Sequence, residues 1–430
     1  MRQEAARKVW RGPVGMDFDA GQGANGATTP AWVLARAGNA GQRQKPPNPS
    51  GASLLGRLAA LAAQSKPAAG ILLRVRLAIR PKRLARDPST HFGQPLLLLM
   101  AALLLAAAPL VEAAPVGGGI DLNDTARFLA GMPVSGGSPL APLTGDPAWK
   151  QHATYFGSAW TRLEARQLSK ARDWSAGNLH RRSSNVFYMF SGPDFLYANA
   201  FFPSASNYVL CGTEPVGTVP DVTKLNLGQA LYKLEGSLNS VLNYSFFQTK
   251  QMREDFGASE LNGTIPVLMV FLARSGKTIY NISPTQPRGV RIDFNGGSLY
   301  YFSVDLSNGS VERSGFLDFC RRLGRGDSLL KSASYLPHES NFSTINNFLL
   351  SQSDLIVEDD SGIPYQSFNP AQWQVRLYGT YQPPIDIFKQ YYQPDLAGAF
   401  SHSSPMGLPF GIGYRGWDPA KSALVVAYRR

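Results

Sequence analysis

Residues 186–211 read VFYMFSGPDFLYANAFFPSASNYVLC. Three short aromatic runs, 186–191, 195–202 and 208–211, are separated by Gly192-Pro193-Asp194 and by Pro203-Ser204-Ala205-Ser206. Aromatic and β-branched residues bounded by Gly, Pro and Ser predict three strands joined by turns. Upstream, Asp146-Pro147 has the form of an N-cap with Pro at the first helical position, and Trp149, Ala153, Phe156, Trp160 and Leu163 recur at helical spacing. Downstream, Leu227, Leu231, Leu234, Leu238 and Val241 step by four and three, the period of a second amphipathic helix, and residues 265–273 are expected to form a buried one. Asn295-Gly296-Gly297 and Asn308-Gly309 sit between β-rich runs at 290–294, 299–306 and from Val311, which predicts a hairpin meander. Trp373, Val375 and Leu377 alternate with polar residues, residues 385–400 look helical and residues 423–428 suit a closing strand. Helices and hairpins interleave without a linker. The expectation is one α+β domain over residues 145–430, with a mixed or mainly antiparallel sheet and several packed helices.

The formal charge of +12 invites a nucleic-acid reading, but residues 1–113 carry a net +10 and residues 114–430 only +2. A near-neutral body cannot track a phosphate backbone, so nucleic-acid binding by the folded region is not expected. All 17 Tyr and 21 of 23 Phe follow residue 113, so the core is C-terminal. Residues 1–94, rich in Ala, Gly, Pro and Arg, read as disordered or as an over-extended reading frame. Residues 95–111 form an uncharged run, PLLLLMAALLLAAAPLV, preceded by arginines and followed by Glu112-Ala113-Ala114. That order predicts a signal peptide, with cleavage after Ala113, a flexible segment at 114–144 and no membrane span after cleavage; an uncleaved N-terminal anchor is the alternative. A periplasmic or secreted protein with two cysteines, Cys211 and Cys320, is expected to pair them in a disulfide; two buried free thiols is the alternative.

The strings Phe187–Tyr197, Asp359–Tyr365 and Leu377–Tyr381 resemble segments of uncharacterised exported bacterial proteins. The resemblance spans roughly residues 145–415. It implies a bacterial, exported protein and carries no activity, so no catalytic residue transfers with it.

Familiar chemistries fail on spacing. Gly21/Gly23/Gly26 and Gly411/Gly413/Gly416 match G-x-G-x-x-G but lack a following helix, and Gly276-Lys277-Thr278 has Phe271 where a phosphate loop needs its first glycine. No G-x-S-x-G occurs, and His152, His180, His338 and His402 lie too far apart for a local zinc motif, so neither a metal nor a cofactor is expected.

What remains is acidic residues in Gly/Pro turns. Asp359 and Asp360 enter Ser361-Gly362-Ile363-Pro364 after an apolar run, and Asp194 sits in Ser191-Gly192-Pro193-Asp194. Such carboxylates serve as acid and base, bind Ca²⁺, or cap turns through backbone N–H bonds. His180 is a candidate partner for them, and Arg181, Arg182 and Tyr365 are candidates for ligand binding. The leading expectation is an exported cell-envelope protein with a non-enzymatic binding or structural role, its partner an envelope component or a small ligand. The alternatives are a hydrolase using Asp194, Asp359, Asp360 and His180, and a small-molecule or Ca²⁺-binding protein.

Overall fold

A computed structural model describes residues 121–180, 183–244 and 261–430. The leader, the signal-peptide run, and Arg181 and Arg182 lie outside the described residues. The chain folds into an α+β structure around a nine-stranded mixed sheet. Strands β1 (Asn185–Tyr188), β2 (Asn207–Gly212), β3 (Ile279–Thr285), β4 (Gly289–Phe294), β5 (Gly297–Ser303), β6 (Gly326–Leu330), β7 (Ser353–Glu358), β8 (Trp373–Gly379) and β9 (Ala423–Arg429) lie in the order β3-β4-β5-β2-β1-β6-β7-β9-β8. The five central strands, from β5 to β7, are mutually parallel. Antiparallel strands close both edges: β3 and β4 on one side, β9 and β8 on the other.

A parallel strand at the centre of a sheet is covered on both faces, so both sets of alternating side chains are apolar. That is why β1 reads as an unbroken apolar run. Val186 and Tyr188 enter one core cluster, while Phe187 and the following Met189 enter the other. The first face is covered by helices α1 (Leu122–Leu129), α2 (Pro147–Leu163), α3 (Ser169–Asn178), α4 (Phe195–Phe201), α5 (Leu227–Tyr244) and α6 (Ile265–Arg274). The second is covered by α7 (Asn308–Arg313), α8 (Phe316–Leu323), α9 (Ser343–Gln352) and α10 (Pro394–His402). Layers therefore change at one point of the chain, after β5, when it crosses back over β1 to place β6 on the other side.

Local sequence accounts for most elements. Asp146 caps α2 by accepting from Ala148 N, with Pro147 opening the helix. Trp149, His152, Phe156, Ala159 and Leu163 form its buried stripe. A π-helical turn at Glu164–Leu168 joins α2 to α3. Residues 121–144, within the segment expected to be flexible, hold α1, capped by Asp121 and buried at Phe128 and Leu129.

Two expected strands are helices. Residues 195–201 form α4 because the Asp194 carboxylate accepts from Tyr197 N at 3.2 Å and caps a turn that the Leu and Ala content sustains. Asn308-Gly309 opens α7 instead of a hairpin: Asp305 accepts from the Ser307 backbone and hydroxyl, and the Asn308 side chain is tied to Ser340 and Thr344.

The expected disulfide is absent. Cys211 and Cys320 are free thiols buried in the second-face cluster. Cys211 Sγ points at Met189 Sδ at 3.5 Å, and burial pushes its thiol up to about 12.

Candidate functional site at the carboxyl rim of the parallel strands

All five parallel strands end on one rim, and the chain reverses its winding between β1 and β6. In open α/β sheets this reversal leaves a crevice at the strands' carboxyl ends, because the two flanking connections leave to opposite faces. Four loops meet there, following Tyr188, Gly212, Leu330 and Glu358. Backbone strain is concentrated in two of them. Among the described residues the non-glycine positions with positive φ are Phe190 (60°), Ser332 (52°), Ser334 (56°) and Tyr335 (53°), one in the β1 loop and three in the β6 loop. Such conformations persist where the surroundings impose them, and they cluster at functional sites.

Where the winding reverses stands a buried ion pair. Lys331 follows β6, and its Nζ lies 3.2 Å from Asp194 Oδ2 and 4.0 Å from the centre of the Tyr197 ring. Tyr188, the last residue of β1, donates its hydroxyl to the same oxygen at 2.9 Å. Desolvating two charges is costly, so the pair holds through its mutual attraction and these added bonds.

Glu214, two residues past β2, is 1% exposed. Tyr301 donates its hydroxyl to Glu214 Oε2 at 3.1 Å and to the Glu214 carbonyl at 3.0 Å. The other carboxylate oxygen, Oε1, has no hydrogen-bond partner among the described residues. The side chain lies over two glycines: a Cβ on Gly212 would meet Oε2 at 2.1 Å, and one on Gly192 would meet Oε1 at 3.4 Å. Burial, together with this carboxylate, pushes the Tyr301 hydroxyl well above its ordinary range.

On the β7 side, two of the three consecutive acids serve the backbone. Glu358 Oε2 accepts from Ile363 N at 2.9 Å. Asp359 accepts from Ser361 N and Oγ through Oδ1 and from Ser332 N through Oδ2, tying the β6 and β7 loops together. Asp360 differs. It is half-buried, Tyr335 donates its hydroxyl to Oδ2, and burial followed by the neighbouring Asp359 pushes its carboxyl up to about 7. Tyr335 stacks on Tyr391 with centroids 5.1 Å apart. Beside it, burial lowers His338 to about 4.

The rim thus gathers Asp194, Asp359 and Asp360. It does not gather His180, which is exposed and precedes β1, at the opposite end of the strand from Asp194. Tyr365 donates its backbone N–H to Gln393 Oε1 at 2.8 Å, and its ring packs against the second-face core. Sequence reasoning missed Glu214, Lys331 and Tyr335. For Glu214 a signal existed, an acidic residue about 20 positions beyond a glycine turn, the spacing by which dinucleotide folds place a ribose-binding carboxylate. Lys331 and Tyr335 belong to no motif.

Among the described residues no three His, Cys, Asp or Glu side chains gather in a way that holds a metal ion, and no helix is long and apolar enough to cross a membrane. No known protein family matches the chain, and no curated protein is similar to it.

Proposed function

We propose that this protein binds a ribose-bearing small molecule in the crevice where β1, β2 and β6 end. The observation that carries the reading is Glu214, a buried carboxylate with one oxygen unpartnered beside the glycine turn after β1. A buried acceptor left unsatisfied costs about 1–3 kcal/mol, and a hydroxyl donor from a ligand removes that cost. In doubly wound sheets an acidic residue at this place accepts from a ribose hydroxyl. The test is calorimetric titration with adenosine, guanosine, cytidine and uridine, repeated on Glu214→Gln. That variant keeps an oxygen for Tyr301 and replaces the free acceptor by an amide donor. Affinity is expected to fall by about tenfold or more, matching the loss of a hydrogen bond to a charged group; unchanged affinity removes Glu214 from the account. We further propose that the protein acts outside the cytoplasm, in the periplasm or beyond, in keeping with the signal-like run at 95–113.

A hydrolytic reading has one observation in its favour: Ser332 is held at φ 52° with its hydroxyl unpartnered among the described residues. Covalent labelling by a fluorophosphonate, lost in Ser332→Ala, is the result that reading requires; an unlabelled protein excludes it.

A further inference from the structure

We infer that the crevice takes phosphate-free nucleosides and rejects their phosphorylated forms, and that Asp194 sets this preference; the inference rests on the ribose reading above. In doubly wound sheets a pyrophosphate rests on the first turn of the helix after β1, where free backbone N–H groups and the helix dipole receive it. Here that place is taken by a side chain of the chain itself. Asp194 caps α4, and its Oδ1 accepts from Tyr197 N at 3.2 Å. The helix has seven residues, all buried.

The cation nearest this turn is also engaged. Lys331 Nζ is 3.2 Å from Asp194 Oδ2, and the two side chains are 1% and 2% exposed. Arg415, whose charge acts on Asp360, is turned to the carbonyl of Pro383. The Glu214 carboxylate stands 3.4 Å from where a Cβ on Gly192, in the same turn as Asp194, would lie. A phosphate group on a ribose held by Glu214 would therefore enter between two carboxylates, one of them already matched by the lysine. Like charges brought together in a water-poor site repel strongly, and such repulsion is a direct route to specificity. An uncharged or cationic nucleoside meets no such opposition.

The experiment is calorimetric titration of the full chain with adenosine, guanosine, cytidine and uridine and with their 5′-diphosphates, on the wild type and on Asp194→Asn. The wild type is expected to bind at least one nucleoside about tenfold or more tightly than its diphosphate. Asp194→Asn keeps a capping oxygen but removes the negative charge at this turn, so the diphosphate is expected to gain about tenfold relative to the nucleoside. Asp194→Ser, which also caps a helix, replaces it if the Asn variant does not fold, and the wild-type comparison needs neither. A wild type that binds nucleoside and diphosphate equally overturns this inference and leaves the ribose reading standing. Binding of none of the eight compounds overturns the ribose reading, and this one with it. Retained selectivity in a folded Asp194 variant overturns the part assigned to Asp194.

Discussion

His152 and Glu235 meet inside the helical layer, Nδ1 to Oε1 at 2.9 Å, with the histidine side chain 1% exposed. The other ring nitrogen lies 2.8 Å from the Leu129 carbonyl, which only accepts, so Nε2 carries a proton. Leu129 closes α1, and its neighbours are capped in the same way: Trp149 Nε1 donates to the Phe128 carbonyl at 3.0 Å, and Arg274 Nε to the Ala130 carbonyl at 2.9 Å. Three successive end carbonyls of α1 are thus satisfied by side chains of α2 and α6, two of them basic types that suit a helix carboxyl terminus. His152→Ala removes one cap and leaves Glu235 without its partner. A stability loss of about 2–4 kcal/mol in urea unfolding is expected, against about 1 kcal/mol or less for the half-exposed Glu235→Gln.

The Lys331–Asp194 pair gives a sharper result in a double-mutant cycle. Asp194→Ala removes the carboxylate that faces a buried ammonium, and a loss of about 3–5 kcal/mol is expected. Adding Lys331→Met removes the buried charge and is expected to restore part of that loss, the cap of α4 and the Tyr188 bond staying lost; such a coupling is one that independent sites do not show. Additive effects in chemical denaturation would mean that the two charges do not stabilise one another.

Two opposing contributions to the pH dependence of stability come from the β6 and β7 loops. Asp360, raised to about 7 from an ordinary 3.8, holds its proton longer in the folded state, so its contribution falls as pH rises from about 4 to 7. His338, lowered to about 4 from 6.5, is protonated first in the unfolded state, so its contribution rises over nearly the same window. Asp360→Asn removes the falling contribution of Asp360 and leaves that of His338. Its stability relative to wild type is therefore expected to increase from pH 4 to pH 7 in a series of urea melts, and a flat difference would show that Asp360 titrates normally.

Free buried thiols make a simple redox statement. Reductant is expected to leave the melting temperature unchanged, and a thiol reagent is expected to count no reactive cysteine in the native protein and two after unfolding. A melting temperature lowered by reductant would restore the disulfide.

The sheet was only partly legible in the chain. The run 186–190 announced a strand because both faces of β1 are buried, and residues 423–428 did so for β9. The same complete burial concealed α4, since all seven of its side chains are buried and no polar face marks its period. The parallel arrangement of β5-β2-β1-β6-β7 depends on pairings between segments far apart in the chain, Val186 with Asp327 among them, which no local pattern encodes. At the site, Asp194, Asp359 and Asp360 were visible because Gly and Pro mark the turns that carry them. Glu214 and Lys331 became candidates only once the strand order brought the ends of β2 and β6 beside the turn after β1. His180 was misplaced for the same reason: proximity to β1 in sequence does not say which end of the strand it approaches.

The most direct measurement is a titration of the wild-type protein with each ribonucleoside against its 2′-deoxy counterpart. The account expects saturable binding of at least one ribonucleoside, weakened by about tenfold or more when the 2′-hydroxyl is removed, the loss set by one hydrogen bond to the Glu214 carboxylate. Equal binding of the ribose and deoxyribose forms, or binding of neither, would contradict it.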